Sequence, residues 1–168
     1  MTFYGTVHSP LGELLLVGEE SATAPGGVAL TSLSVPGQKG GAVVEDGWRR
    51  APEVFGAVAE QLEAYFDGEL TRFELEFGAG GSDFQRRVWG ALEGLAYGET
   101  VSYGEIATRI GMSAGAGVRA VGTAIGRNPL LVVRPCHRVI GADGALRGYA
   151  GGIERKQALL ELEGALVA

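Results

Sequence analysis

Alternation of apolar and polar positions opens the chain. The segments TFYGTVHS and ELLLVGE flank the turn SPLG and predict a β-hairpin, and GVALTSLSV predicts a third strand. The glycine-rich run GQKGGAVVEDG breaks the pattern and reads as an exposed loop. The period then lengthens: Val54, Phe55, Val58, Leu62 and Phe66 recur at helical spacing, and TRFELEF returns to the alternation of a strand. Small residues, GAGGS, follow at 78–82 and form a flexible linker, so an amino-terminal α/β unit is expected over 1–78 and a second unit over 79–168.

Beyond the linker the periodicity is helical and the caps are legible. Ser82 with Gln85 forms a capping box ahead of Phe84, Val88, Trp89, Leu92 and Leu95, which predicts a helix ending before Tyr97-Gly98. Ser102 with Glu105 forms a second capping box, opening a short helix through Ile110 that Gly111 closes. After the break MSAGAG a third helix turns Val118, Val121 and Ile125 inward and stops at Gly126. Two helices joined by a tight glycine-containing turn, over about 102–126, make a helix-turn-helix pattern. Arg119 and Thr123 lie four apart on the opposite face of the third helix, among Gly, Ala and Thr. Small residues around one arginine let a helix approach a groove closely; a low-profile surface helix has the same pattern.

Composition adds limits. With 168 residues, 46% hydrophobic and 20% charged, the chain reads as globular, and no apolar run is long enough to span a bilayer. The start MTFYGTVHSPLGE has neither a basic n-region nor an apolar h-region, which predicts a cytoplasmic protein. One cysteine forms no internal disulfide, and with His8 and His137 far apart it offers no zinc-ligand spacing, so no metal site is expected. The net charge of −6 hides an asymmetry: residues 1–83 carry 4 basic and 13 acidic side chains, residues 84–168 carry 10 and 7. Arg109, Arg119, Arg127, Arg134, Arg138 and Arg147 surround the cysteine, as on a phosphate-contacting surface or an ordinary solvated face.

That cysteine stands in VVRPCHRVIG. The run LLVV before Arg134-Pro135 predicts a buried strand-like segment that ends there, because proline lacks an N–H and biases its predecessor to extended geometry. In an extended strand Cys136 and His137 face opposite sides, so pairing them needs a turn, a helical start or a bridging water. A neighbouring imidazole, arginine or helix N-terminus lowers a thiol's pKa and makes it nucleophilic, whereas a lone cysteine is also a common small buried hydrophobe. The last helix, IERKQALLELEG, buries Leu159, Leu160 and Leu162 and ends at Glu163. A carboxylate there opposes the helix dipole unless a partner compensates, which makes Glu163 a candidate to orient His137.

The run NPLLVVRPCHRVIGADGALRGYAGGIERKQALLELE resembles the active-site signature of the O6-alkylguanine-DNA alkyltransferases, the methylated-DNA–protein-cysteine methyltransferases. FQRRVWGAL, YGETVSYGEIA and VRAVGTAIGRNP are similar to the family in order and spacing, so the resemblance covers essentially all of 83–163. The amino-terminal unit is more loosely similar, in SPLGELLL and QLEAYFDGEL. The resemblance implies an α+β fold: a small amino-terminal antiparallel sheet with a helix, ribonuclease H-like, then a mainly helical, winged helix-turn-helix-like domain. That domain would hold an active-site segment at 134–140 and a binding loop at 141–152.

It also implies DNA repair by irreversible transfer of an alkyl group from O6-alkylguanine to Cys136, one protein molecule per lesion, without a cofactor. By the same resemblance His137 takes the thiol proton through a bridging water, Glu163 orients His137, and Tyr103 serves the ring nitrogen of the leaving guanine. Arg119 is the finger that fills the gap left by the flipped nucleotide, and Ser102, Ala120, Thr123 and Arg138 join it in contacting double-stranded DNA through the minor groove. Asn128 braces the turn before the cysteine, and Tyr149, Ala150, Ile125 and Val139 belong to the substrate pocket, with Leu131 beside Ile125. A monomer without a membrane or an obligatory protein partner is expected.

Arg134 departs from the family pattern, which has an aliphatic residue there, and is expected to face solvent or phosphate. Two other classes fit parts of the sequence. A helix-turn-helix lesion sensor would bind alkylated DNA without transfer, and a Cys–His–Glu hydrolase or redox protein would turn over repeatedly. The absence of a second, resolving cysteine disfavours redox chemistry.

Overall fold

A computed structural model describes residues 1–113 and 115–166. Ala114, in the MSAGAG break, lies outside the described residues. The chain divides into two compact units, Met1–Ala79 and Gly80–Ala168, and the architecture is α+β.

In the first unit β1 (Thr2–Ser9) and β2 (Gly12–Glu20) form an antiparallel hairpin, and β3 (Val28–Ser34) pairs antiparallel with β2. A short β4 (Arg49–Arg50), just after the run expected to be a loop, runs parallel to β1, giving the order β3-β2-β1-β4. Leu14 and Leu16 alternate on the buried face of β2 with Leu30 and Leu33 of β3. Helix α1 (Gly56–Phe66) contributes Val58, Leu62 and Tyr65 to this unit's core, and Phe55 precedes it.

TRFELEF does not join the sheet as a full strand. Both backbone groups of Glu74 are taken by one side chain: Gln61 Nε2 donates to the Glu74 carbonyl (3.0 Å) and the Glu74 N–H donates to Gln61 Oε1 (2.8 Å). Leu30 and Phe77 form an isolated parallel bridge, with the Leu30 N–H donating to the Glu76 carbonyl. A side-chain amide thus substitutes for a neighbouring strand at Glu74.

The second unit contains α2 (Asp83–Glu93), β5 (Val101–Ser102), α3 (Tyr103–Arg109), α4 (Val118–Gly126), β6 (Val139–Ile140) and α5 (Ile153–Leu162). Both capping boxes close: Ser82 Oγ accepts from the Gln85 N–H and Ser102 Oγ from the Glu105 N–H, each at 3.1 Å, and each glutamine or glutamate side chain answers the cap's own N–H. Helices α3 and α4 make the helix-turn-helix, and the parallel pair β5–β6 ties its start to the segment after the cysteine. Trp89 of α2 donates its indole N–H to the Ala124 carbonyl of α4 (2.9 Å).

Val121, Ala124 and Ile125 are buried in α4, but Val118, expected inward, is 36% exposed. It is the first helical residue, and its side chain leans towards the N-terminus, beyond the turns that pack. No helix among the described residues is long and apolar enough to cross a membrane.

Candidate active site

The segment that carries the cysteine begins where α4 ends. Asn128 is buried and organises the residues after it: its Oδ1 accepts from the Leu130 N–H (3.0 Å), while its Nδ2 donates to the carbonyls of Leu130 (3.3 Å) and Arg134 (3.0 Å). The run LLVV is therefore a buried turn and not the expected strand-like segment. Its backbone bonds are local, with the Arg134 N–H donating to the Leu130 carbonyl (3.1 Å) and the Val133 N–H to Leu131 (2.8 Å). Val132 takes φ 71° in this turn, a conformation that costs a β-branched residue on the order of 1–3 kcal/mol. The Asn128 hydrogen bonds help hold that geometry.

After Pro135 comes a single 3₁₀ turn, Cys136–Arg138. The turn solves the adjacency problem, because consecutive side chains no longer leave on opposite sides as in a strand. His137 is wholly buried, and its Nε2 lies 2.8 Å from Glu163 Oε2. Glu163 caps the end of α5. Arg138 supplies the compensation its position requires, donating through Nε to Oε1 (2.7 Å) and through NH2 to Oε2 (2.9 Å). The third guanidinium nitrogen donates to the Leu95 carbonyl (2.7 Å), and the group sits 5.9 Å from the centre of the Tyr97 ring.

Arg138 therefore corrects an expectation. It is 6% exposed and committed to Glu163, so it is not placed on the DNA-facing surface. Arg134 corrects another: it is buried against Trp89 and paired with Glu93, not turned to solvent.

These contacts fix the state of His137. A carboxylate bound in two places by a guanidinium is ionised and only accepts hydrogen bonds, so the ring proton belongs on Nε2 and Nδ1 carries the free lone pair. Nδ1 has no hydrogen-bond partner. Burial holds the imidazole's pKa below its ordinary value, against the pull of Glu163, so His137 is neutral at neutral pH and able to accept a proton.

Cys136 departs from the lowered pKa that the sequence suggested. Burial pushes its thiol up to about 11, although Asn128, Lys156 and Arg134 all favour the thiolate. The resting sulfur is a thiol, and ionising it requires a base. A direct consequence is that Cys136 alkylation by iodoacetamide should still accelerate near pH 10, where an unperturbed cysteine of pKa about 8.5 has levelled. A plateau by about pH 9 in the pH–rate profile would contradict this assignment.

Around the thiol stand three groups from other elements. Tyr103, first residue of α3, donates its hydroxyl to the Arg147 carbonyl (3.1 Å); burial raises its pKa, and a negative charge on Cys136 raises it further. Tyr149 is raised well above the usual tyrosine range by burial, again with Cys136 contributing. Lys156, which sequence reasoning missed, is buried in α5 and donates from Nζ to the carbonyls of Val139 (2.6 Å), Arg147 (2.8 Å) and Gly148 (3.1 Å). It fastens the 141–152 loop to the segment after the cysteine. Burial lowers its pKa to about 8, against which Cys136 pulls. A signal was present: Lys156 shares the i, i+3, i+4, i+7 spacing of Leu159, Leu160 and Glu163.

Cys136, His137, Glu163, Arg138, Asn128 and Val139 are thus linked through this network, with Tyr103 and Tyr149 in electrostatic reach of the sulfur. Ala150 is half-buried ahead of α5, and Ile125 is buried in α4. Leu131 lies beside Gly151: a side chain added at that glycine would meet Leu131 Cδ1 at 3.3 Å. Arg119, Ala120 and Thr123 are elsewhere, exposed on the outer face of α4, where the Thr123 hydroxyl donates back to the Arg119 carbonyl (3.1 Å). They line a cleft of about 670 Å³ together with Phe84, Gln85 and Arg127, and Cys136 does not line it. Ser102 is half-buried with its hydroxyl used in the cap. Among the described residues no group of three or more His, Cys, Asp and Glu is arranged to hold a metal ion.

Comparison with known proteins gives matches over both units. Residues 2–78 match the ribonuclease-like domain, and residues 83–165 the DNA-binding domain, of 6-O-methylguanine DNA methyltransferase. The methylated-DNA–protein-cysteine methyltransferase of Mycolicibacterium paratuberculosis is 51% identical over 163 residues, covering 97% of this chain and 93% of that protein. The protein of the same name from Methanosarcina acetivorans is 44% identical, covering 96% and 98%. A crystal structure of Mycobacterium tuberculosis O6-methylguanine methyltransferase superposes with TM-score 0.83 at 47% identity, over 100% of this chain and 96% of that one. The M. tuberculosis OGT in complex with DNA gives TM-score 0.85 at 47% identity, over 97% and 93%.

Proposed function

Because this chain belongs to the methylated-DNA–protein-cysteine methyltransferases, which repair DNA by direct alkyl transfer, we propose that its acceptor is Cys136 and that the network around His137 drives the transfer. The observation that carries this reading is the imidazole next to the chain's one thiol, held through Nε2 by Glu163 with Nδ1 left to accept a proton.

In the proposed step His137 Nδ1 takes the thiol proton through a bridging water. The sulfur lone pair attacks the alkyl carbon opposite the guanine O6. The new S–C bond forms as the C–O bond breaks, and the electron pair of that bond stays on the guanine. Tyr103, whose hydroxyl now donates to the Arg147 carbonyl, exchanges that acceptor for the ring nitrogen of the departing base and stabilises the charge left there by donating a hydrogen bond. The imidazolium left on His137 is stabilised by Glu163. Nothing regenerates the thiol, so each molecule reacts once and needs no cofactor.

The base must leave the stack before its alkyl carbon can meet a buried sulfur. The outer face of α4, with Arg119 among Ala120 and Thr123, suits a close approach through the minor groove of double-stranded DNA, with Arg119 filling the vacated position. Ser102 lies at the start of α3, on the same helix-turn-helix. Tyr149, Ala150, Asn128, Ile125 and Val139 would enclose the extruded base, and Lys156 would hold the loop carrying Tyr149 in place. Such a protein acts as a monomer without an obligatory protein partner, and a DNA substrate fits a cytoplasmic location.

The test is to mix equimolar protein with a duplex oligonucleotide bearing one O6-methylguanine and weigh the intact protein. A gain of one methyl group, mapped to the peptide containing Cys136, is expected. No gain, or a methyl group elsewhere, overturns the reading.

Glu163→Gln probes the base itself. Gln keeps the shape but removes the charge that favours a protonated His137, so the single-turnover rate should fall by about 10- to 100-fold with lesion-DNA affinity retained. Arg138 loses its buried counter-ion, so the melting temperature should fall as well. A variant that binds poorly but transfers at the normal rate would reduce Glu163 to a structural role.

A further inference from the structure

Arg134 is 7% exposed, and its guanidinium lies between three fixed groups. Nε donates to Glu93 Oε2 at 2.9 Å, and the central carbon sits 5.0 Å from the centre of the Trp89 ring. That ring is itself held by its hydrogen bond to the Ala124 carbonyl. The third group is Asn128: Arg134 NH1 donates to Oδ1 at 3.5 Å, while the Arg134 backbone carbonyl accepts from Nδ2 at 3.0 Å.

Arg134 therefore meets the Asn128 amide from both ends. Reversing the amide would set its NH2 against the guanidinium and the Leu130 N–H, and its oxygen against two carbonyls. Donor would face donor and acceptor would face acceptor, so one orientation is enforced. In that orientation the amide also favours the ionised sulfur.

We propose that Arg134 is a positioning residue for the acceptor cysteine: its guanidinium helps fix the Asn128 amide in the orientation that presents NH2, not oxygen, on the side of the sulfur, and it places a buried positive charge behind the turn carrying Cys136, which Glu93 partly cancels. The proposal rests on Cys136 being the acceptor. Arg134 and Cys136 favour each other's charged forms, which agrees with this arrangement. The other groups facing the thiol are Lys156 from α5, Tyr103 from α3, Tyr149 from the loop, and His137 backed by Glu163 and Arg138. Neither Arg134 nor Glu93 is one of these groups, so each can be altered with the others left in the sequence.

The opposite charges of Arg134 and Glu93 give the test its sign. With one cysteine in the chain, iodoacetamide reads Cys136 alone. Its pH–rate profile and the single-turnover rate on an O6-methylguanine duplex are measured for wild type, Arg134→Met, Arg134→Lys and Glu93→Gln. Arg134→Met should raise the alkylation midpoint by about one pH unit and slow transfer at neutral pH about tenfold. Glu93→Gln should lower the midpoint, since it unmasks the cation. Arg134→Lys should fall between wild type and Arg134→Met, keeping the charge but losing the fork.

A merely structural Arg134–Glu93 pair predicts that Arg134→Met and Glu93→Gln lower the melting temperature together and leave the midpoint unmoved, or move it in one direction; either result overturns the proposal. Should Arg134→Met fail to fold, Glu93→Gln decides, because the Glu93 side chain is 41% exposed and its loss is tolerable. A midpoint that stays or rises in Glu93→Gln rejects the idea. If wild type blocked with iodoacetamide still repairs the duplex, the acceptor assignment falls instead, whichever way the midpoints move.

Discussion

Cys136→Ser is expected to bind lesion-bearing DNA with wild-type affinity and to transfer no measurable alkyl group. The substitution replaces one small buried atom with another, so the turn Cys136–Arg138 and its contacts to Glu163 should survive. Its effect falls on ionisation and nucleophilicity. Even the thiol is held at about 11, and a hydroxyl is far harder to deprotonate, so the His137–Glu163 pair that can ionise sulfur should fail with oxygen. A single-turnover rate lower by at least about 10³-fold is the scale on which removal of a catalytic nucleophile registers. Fluorescence anisotropy with a labelled O6-methylguanine duplex checks the binding half, and intact protein mass the transfer half. A Ser variant that still gains a methyl group would remove the sulfur from the reaction altogether.

The pH behaviour separates this site from a self-activated cysteine. Burial outweighs the groups that favour the thiolate, so the free protein holds its sulfur as a thiol at neutral pH. In the proposed reaction the sulfur depends on His137 as its base, whose own charge is suppressed by burial and recovered through Glu163. A suicidal acceptor benefits from such an arrangement, because a permanently ionised sulfur would be consumed by stray electrophiles. The Glu163–Arg138 pair keeps the carboxylate ionised at a helix end that would otherwise disfavour it.

What the sequence made legible was local. Ser82 with Gln85 and Ser102 with Glu105 carry their helix starts in four residues each, and the caps formed where the spacing placed them. The β-hairpin and third strand were equally visible, since alternation in Leu14 and Leu16 reports one buried face. Cys136, His137 and Glu163 were nominated because a thiol, an imidazole and a carboxylate at a helix end each raise a question of partnership, and the structure does connect the last two.

The misses were long-range. TRFELEF alternates like a strand, but Gln61 took the backbone groups of Glu74, a choice no period reveals. LLVV reads as extended until Asn128 is seen to close the chain into a turn with Val132 at positive φ. Arg134 and Arg138 look like phosphate contacts in a linear count of charge. Each is buried because a carboxylate distant in sequence, Glu93 or Glu163, meets it. Lys156 carried the right helical phase but the wrong residue type for burial, and three carbonyls are what make its burial tolerable.

Arg119→Ala should slow repair of a duplex lesion by about 10- to 100-fold while changing transfer from a free O6-alkylguanine base by less than about twofold. Arg119 stands exposed on the outer face of α4, away from Cys136, so it has no direct hold on the chemistry. Its neighbours Ala120 and Thr123 are small, and the Thr123 hydroxyl is turned back to the Arg119 carbonyl, leaving Arg119 as the charged side chain of α4. A finger that occupies the vacated stack offsets part of the few kcal/mol that extrusion costs, and that benefit exists only when there is a stack to leave. An ordinary phosphate contact behaves differently: its loss removes about one counterion from the salt dependence of binding and weakens duplex and single-stranded substrates alike. The deciding quantity is the ratio of single-turnover rate constants on duplex and on a free base that the wild type consumes. A ratio equal in wild type and variant, with both rates measurable, rules out the intercalating role and leaves Arg119 as surface charge.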